Sequence, residues 1–141
     1  IEIDPDFSQF SDLQQAELYR LSGYLVSNYG KYKNRPNYQE RGKNLLTKAI
    51  EIYGNSGKFL EVAEAQNALS MCYYFEGAIL ETEAILEQTA KDFLPDKLNL
   101  IYLQNRNNLL LAKLYKKKYN EALEIVEEIT IPMEFCEDNR S

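Results

Sequence analysis

Apolar residues recur at helical spacing along almost the whole chain. Ser11-Asp12-Leu13-Gln14 sets a serine N-cap three residues ahead of a glutamine, a capping box. Leu18, Leu21, Leu25 and Val26 follow on one face. This predicts a first helix from Ser11 to about Asn28, ended by Gly30. Residues 31–37, KYKNRPN, read as a loop, because Pro36 pushes the residue before it out of helical backbone. A second helix is expected over about 38–53, with Gly42, Leu46, Ala49 and Tyr53 as its inner stripe, broken by Gly54-Asn55-Ser56-Gly57. A third, about 58–75, carries Val62, Ala65, Leu69, Cys72 and Tyr73 and turns at Gly77. A fourth, about 79–93, carries Ile79, Thr82, Leu86, Thr89 and Phe93. Pro95-Asp96 breaks the chain and offers an aspartate cap to a leucine-rich fifth helix over about 97–116. The sixth, about 119–130, carries Ala122, Val126 and Ile129, and Pro132 ends it. β-Branched residues are few and do not alternate, so no strand is expected. The class is all-α: one domain of six helices in three antiparallel hairpins, at about 11–54, 57–94 and 96–130.

The pattern repeats. Residues 67–89 overlie 107–129 without a gap, bringing Asn67 onto Asn107, Leu69 onto Leu109, Glu81 onto Glu121, Thr82 onto Ala122 and Leu86 onto Val126. Gly42, Leu46, Ala49 and Tyr53 stand 40 residues before Thr82, Leu86, Thr89 and Phe93. Gly23, Val26 and Gly30 stand 47 before Ser70, Tyr73 and Gly77, and the difference is the length of KYKNRPN. Small residues early in each second helix (Gly42, Thr82, Ala122) let helices approach. Large ones a turn later (Leu46, Leu86, Val126) fill the space between hairpins. A lone hairpin cannot bury its apolar face, so hairpins of this kind stack.

Leu69, Ser70, Tyr73 and Gly77, then Thr82, Leu86 and Thr89, with Thr47-Lys48-Ala49-Ile50-Glu51-Ile52 and Tyr119-Asn120-Glu121-Ala122-Leu123, make the chain resemble the tetratricopeptide repeat family over about residues 12–130. Spacing and LSMCYYFEG are most similar to repeats of large bacterial regulatory proteins. The chain departs from the family in its 40-residue spacing, against the usual ~34. It departs again at Lys113, where an aromatic is expected, and at Lys117, where the turn glycine is expected. A shifted register with Leu111, Ala112 and Tyr115 in the motif positions competes for the third hairpin, and the unbroken 40-residue match is preferred. The resemblance implies a right-handed α-α superhelix with a concave groove lined by the first helix of each hairpin. It implies groove rows of Arg20, Asn67 and Asn107, of Tyr24, Met71 and Leu111, and of Ser27, Tyr74 and Leu114. The residues expected to bind are Arg20, Tyr24, Asn67, Met71, Tyr74 and Asn107. Asparagine offers a donor and an acceptor to an extended peptide. Arginine grips a carboxylate with two bonds. Tyr24, Met71 and Tyr74 supply adaptable apolar contact. Met71, Leu111 and Leu114 also read as packing residues; the recurring asparagines are harder to explain that way.

Composition narrows the function. The net charge of −6 argues against general binding to nucleic-acid backbone. Lys116-Lys117-Lys118 is followed at once by Glu121, Glu124, Glu127 and Glu128, the charge order of a solvated helix end. With no histidine, no glycine-rich loop after a strand, and carboxylates on polar helix faces, neither a metal site nor a catalytic constellation is expected, and no cofactor. The two cysteines, Cys72 in the core and Cys136 in the tail, lack ligand spacing and fit a reducing compartment. The longest uncharged apolar run, LSMCYYF, is too short for a membrane span, and the acidic first residues do not form a signal peptide, so the expected place is the cytoplasm. A start without methionine and a polar EDNRS end suggest a segment of a longer protein.

The expected function is therefore a non-enzymatic protein- or peptide-binding module. A second reading is a signal-sensing domain of a larger bacterial transcription regulator. A third is self-association: the last hairpin lacks a polar capping helix, so its outer face around Leu123 and Ile129 would be apolar and exposed, a surface for a homodimer. The KYKNRPN segment is a second candidate surface for a protein contact.

Overall fold

Among the described residues six helices follow one another: α1 (Asp12–Tyr32), α2 (Asn37–Asn55), α3 (Phe59–Phe75), α4 (Ile79–Phe93), α5 (Leu100–Tyr115) and α6 (Tyr119–Asp138). The computed structural model describes residues 5–138, with side chains as far as residue 130; Cys136 as a side chain and the end of the EDNRS tail lie outside that range. Among the described residues there is no strand, and no helix is long and apolar enough to cross a membrane.

The capping box at Ser11 forms in both directions. The Gln14 amide N–H donates to Ser11 Oγ at 3.3 Å, and the Ser11 N–H donates to Gln14 Oε1 at 3.1 Å. Four helices then end in the same way. At the end of α3 the Ala78 N–H reaches back to Tyr73 O and the Gly77 N–H to Tyr74 O, the Schellman pattern with Gly77 left-handed at φ 80. At the end of α5 Lys118 bonds Lys113 O, Lys117 bonds Leu114 O, and Lys117 itself is left-handed at φ 58. The two turns match atom for atom at a shift of 40, which selects the unbroken register for the third hairpin over the shifted one. Lys117 thus stands in a conformation that glycine adopts freely and lysine does not. Lys117→Gly is expected to stabilise the chain by about 0.5–1 kcal/mol in urea unfolding.

The same geometry corrects the first hairpin. Arg35 bonds Gly30 O, Asn34 bonds Lys31 O, and Asn34 is the left-handed residue at φ 54. Gly30 therefore does not end α1. It lies inside the helix, buried, where an added Cβ would sit 2.5 Å from Tyr38 Cβ. KYKNRPN is not one loop either: Lys31 and Tyr32 extend α1, and Asn37 opens α2. Pro36 precedes α2 with helical backbone, a place where its missing N–H costs nothing. The extra residues mostly lengthen the hairpin's two helices. Asp96 accepts from the Leu98 N–H in a turn, and the cap of α5 is Asn99, whose Oδ1 accepts from Ile101 N–H at 2.8 Å. Pro132 does not stop α6, whose backbone stays helical to Asp138; an internal proline forfeits one ladder bond, which the rest of the helix carries.

Each helix packs on the next, and α3 also touches α1 and α5, whereas α2 and α4 do not meet. The first helices of the hairpins therefore lie closer together than the second helices. Glycines set the approach of α1 to α2: a Cβ on Gly23 would meet Leu46 Cγ at 2.8 Å, and one on Gly42 would meet Gly23 O at 3.1 Å and Cys72 Sγ at 3.3 Å. Leu46, Ala49, Leu86 and Thr89 are fully covered, as the inner stripes of α2 and α4 require. The third hairpin differs. Ile125, not Val126, joins Leu86 and Leu109 in the core, and Val126 is 42% exposed. Leu86 is covered by Leu109 of α5; among the described residues no later helix lies against Val126.

Charges lock the hairpins together in matched pairs. On α2, Lys43 pairs with Glu76, the C-cap of α3, and lies 4.3 Å from the centre of the Tyr73 ring. Forty residues on, Glu83 of α4 pairs with Lys113 of α5 at 2.5 Å and with Lys116 at 3.7 Å. Lys113 stands where α3 has Tyr73, opposite Glu83, which stands where α2 has Lys43. Burial pushes the Glu83 carboxyl up, but the ammonium of Lys113, with Lys118 and Lys116, holds it below the usual range.

Tyr102 of α5 is buried and donates its hydroxyl hydrogen to the Glu128 carboxylate. Burial, then that carboxylate, pushes its pKa from 10.0 up to about 12. A pKa raised in the folded state contributes stability that is fully present below the unfolded value. That stability is lost as pH climbs from 10.0 through about 12. Ultraviolet titration is expected to show a late tyrosine ionisation toward about 12 that Tyr102→Phe removes, and Glu128→Gln is expected to advance it.

Candidate functional site

A cavity of 380 Å³ opens on the side where the first helices converge. α1 contributes Arg20, Leu21, Tyr24, Ser27 and Asn28; α3 contributes Glu64, Ala68, Met71 and Phe75; α5 contributes Gln104, Asn107 and Asn108. All three hairpins thus meet in one groove. Arg20, Tyr24, Met71 and Asn107, expected from the sequence, stand together on its wall. Tyr24 is 53% exposed and Asn107 is also exposed, so both present polar and apolar surface to an occupant.

Two expected residues lie elsewhere. Tyr74 is half-buried, with its ring edge-on to Tyr115 at 5.9 Å, and ties α3 to α5 rather than facing the cavity. Asn67 is 1% exposed. Its Nδ2 donates to Ile101 O at 3.1 Å and approaches Gln104 Oε1 at 3.4 Å, and its Oδ1 accepts from Asn105 Nδ2 at 2.8 Å. Asn105 donates also to Leu86 O at 3.0 Å and accepts from the Arg106 guanidinium at 2.7 Å. Asn67 is therefore the hub of a buried network that joins α3, α4 and α5, not a groove contact.

The reason lies in the row itself. Arg20 on α1 reaches Glu64 on α3 at 3.3 Å, an ion pair without hydrogen-bond alignment. Asn67 on α3 reaches Gln104 on α5. Arg20 stands 47 residues before Asn67, and Glu64 stands 40 before Gln104. Both contacts are the same contact, made by one first helix to the next. Asn107 holds the third place in the row and is exposed, with no further helix beside it among the described residues. A polar residue at one repeat position can thus serve stacking as well as binding. Arg20 correspondingly has its charge answered by Glu64.

The groove residues missed from the sequence are chiefly amides and a carboxylate: Asn28, Gln104, Asn108 and Glu64. The 47- and 40-residue shifts could have found Glu64 and Gln104, since they relate the two as an equivalent pair facing the row of Arg20 and Asn67. Ser27 lines the groove but is occupied: its hydroxyl donates to Gln39 Oε1 at 2.6 Å. The wall is close to neutral, an ion pair at one end with amides and the Tyr24, Met71 and Phe75 side chains beside it. Such a surface offers backbone-like donors and acceptors next to apolar contact.

No family model, curated protein or solved structure matches the chain.

Proposed function

We propose that this chain is a peptide-binding module of the tetratricopeptide kind, its hairpins stacked in a right-handed superhelix. In this reading an extended segment of a partner protein lies in the groove of α1, α3 and α5. The observation that carries the reading is the single cavity walled by the first helix of all three hairpins, with Tyr24, Met71 and Asn107 on it. Gln104 and Asn107 pair with the peptide backbone, and Tyr24, Met71 and Phe75 hold a side chain of intermediate polarity. With Arg20 answered by Glu64, the groove favours a neutral segment over a strongly charged one.

Peptides selected from a random library against the whole chain test this. A selected peptide is expected to bind at least about tenfold more weakly to Tyr24→Ala/Asn107→Ala, a loss of about 1.4 kcal/mol, with helicity unchanged. Equal affinity for both proteins would remove the groove from the function.

A further inference from the structure

The groove has unlike ends. Asn28 on α1 and Phe75 on α3, 47 residues on, meet at one of them, and both line the cavity. α3 stops there, at Phe75, but α1 runs one turn further, to Tyr32. That turn is the start of KYKNRPN, the residues by which the first hairpin exceeds the others. It carries Lys31 past the end of the groove, where the ammonium lies 5.0 Å from the centre of the Phe75 ring. Arg20, Tyr24, Ser27 and Lys31 thus follow one stripe along α1, and only the last of them overhangs the mouth. Lys33 comes next, as the C-cap, with its ammonium over the Tyr32 ring at 5.3 Å.

Charge is divided along the same line. At the far end, where Arg20 meets Glu64, a second hollow is lined by Glu17, Glu61 and Glu64 with Arg20 and Lys58, an excess of acid. At the mouth the nearby acids are already answered: Glu40 and Glu76 by Lys43, and Glu83 by Lys113 and Lys116. Among the described residues no carboxylate pairs with Lys31, Lys33, Arg35 or Lys117, and all four are exposed. Tyr74 and Tyr115, 5.9 Å apart, tie α3 to α5 at this edge, so the turn that carries Lys117 lies on the same side of the molecule. Helix dipoles favour a basic residue at every C-terminus. Yet α2 and α3 have none in the last turn, so dipoles alone do not account for the surplus. On a chain of net charge −6, unpaired positive charge stands where the groove opens.

We infer that the partner segment carries acidic residues beside a neutral core, and that Lys31 and Lys33 bind them at the mouth of the groove. This rests on the groove reading and adds a direction to it. From Glu64 to Phe75 the α3 wall runs about 16 Å at the helical rise, a length that about five extended residues span. Asp or Glu residues just beyond that core reach the lysines, with Arg35 and Lys117 adding to the positive field. At the other end the same residues would face Glu17, Glu61 and Glu64. One end of the segment is therefore acidic and the other is not. Neither lysine has to leave a carboxylate to bind it.

Peptides selected from a random library against the whole chain at low salt are expected to carry clustered acidic residues at one end of a neutral core. Replacing those acids with glutamine is expected to weaken binding about fivefold to tenfold. The difference should shrink as salt is raised. Lys31→Gln/Lys33→Gln is expected to remove the difference while the glutamine peptide binds as before; both sites are exposed, and circular dichroism checks the helices. Lys31→Glu/Lys33→Glu is expected to invert the preference, favouring a peptide with lysines at that end, an exchange that damage to the fold cannot imitate. Peptides that need Tyr24 and Asn107 but gain nothing from acidic residues would overturn the inference and leave the groove reading standing. Acidic peptides that bind Tyr24→Ala/Asn107→Ala as well as the parent would overturn the groove reading, and the inference with it. Tighter binding of an oligouridine strand or of phosphatidylserine vesicles through the same lysines than of the acidic peptide would also overturn it.

Discussion

Asn67→Leu is expected to destabilise the chain by about 3 kcal/mol, while Asn107→Leu changes stability by no more than about 0.5 kcal/mol. The two residues occupy one place in the repeat and share a side chain. Their surroundings differ. Leucine at 67 takes from the Asn105 amide its 2.8 Å acceptor and from Ile101 O its side-chain donor, in a site only 1% exposed. Each hydrogen bond lost at a buried group costs about 1–3 kcal/mol, and the losses couple because Asn105 also holds Leu86 O and Arg106. Asn107 is exposed and forms no such bonds. Urea unfolding of both variants checks the contrast. If Asn107→Leu lost as much stability as Asn67→Leu, the row would not be split into a buried hub and an open end.

Gly30→Ala and Gly54→Ala are expected to act in opposite directions. Both glycines sit in helices, where alanine is ordinarily preferred by about 0.5–1 kcal/mol. At Gly54 nothing lies within 4 Å of the added Cβ, so Gly54→Ala should stabilise by that amount. At Gly30 the Cβ meets Tyr38 Cβ at 2.5 Å and Arg35 O at 3.0 Å. Neither neighbour is the loose end of a side chain. The α1–α2 tip must open, at about 2–3 kcal/mol. Thermal unfolding is expected to place Gly54→Ala above the parent and Gly30→Ala well below it. A Gly30→Ala protein as stable as the parent would mean that the two helices are not held this closely.

The helical class and the helix positions were legible because amphipathic spacing and the break residues agree over most of the chain. Glycine as punctuation was less reliable. Gly77 ends its helix, but Gly30 is there for close approach, and both read alike until Tyr38 is seen to lie against Gly30. Lys117 was legible as the turn position only through the 40-residue shift from Gly77, because lysine itself gives no sign of left-handed backbone. The inner stripe of α6 slipped from Val126 to Ile125 because Ile125 is the one that faces Leu86 and Leu109 of its own stack, while the side of Val126 meets no helix among the described residues. In the groove, Tyr24, Met71 and Asn107 were legible as positions on the first helices. Asn67 was not, because burial depends on whether another helix stacks above it. The sequence shows that an asparagine recurs at that place, but not which of the two is covered.

The groove reading rests most directly on where a bound peptide touches the chain, and methionine reports it. The chain has two methionines, and Met71 is the one on the groove wall. With methionine methyl groups labelled with carbon-13, and Met71→Leu used to assign the signals, a selected peptide is titrated while both resonances are followed. The account predicts that the Met71 methyl shifts with saturation and that Tyr24→Ala/Asn107→Ala removes the shift at the same peptide concentrations. A peptide that binds tightly while the Met71 signal stays in place would contradict it and move the binding surface off α1, α3 and α5.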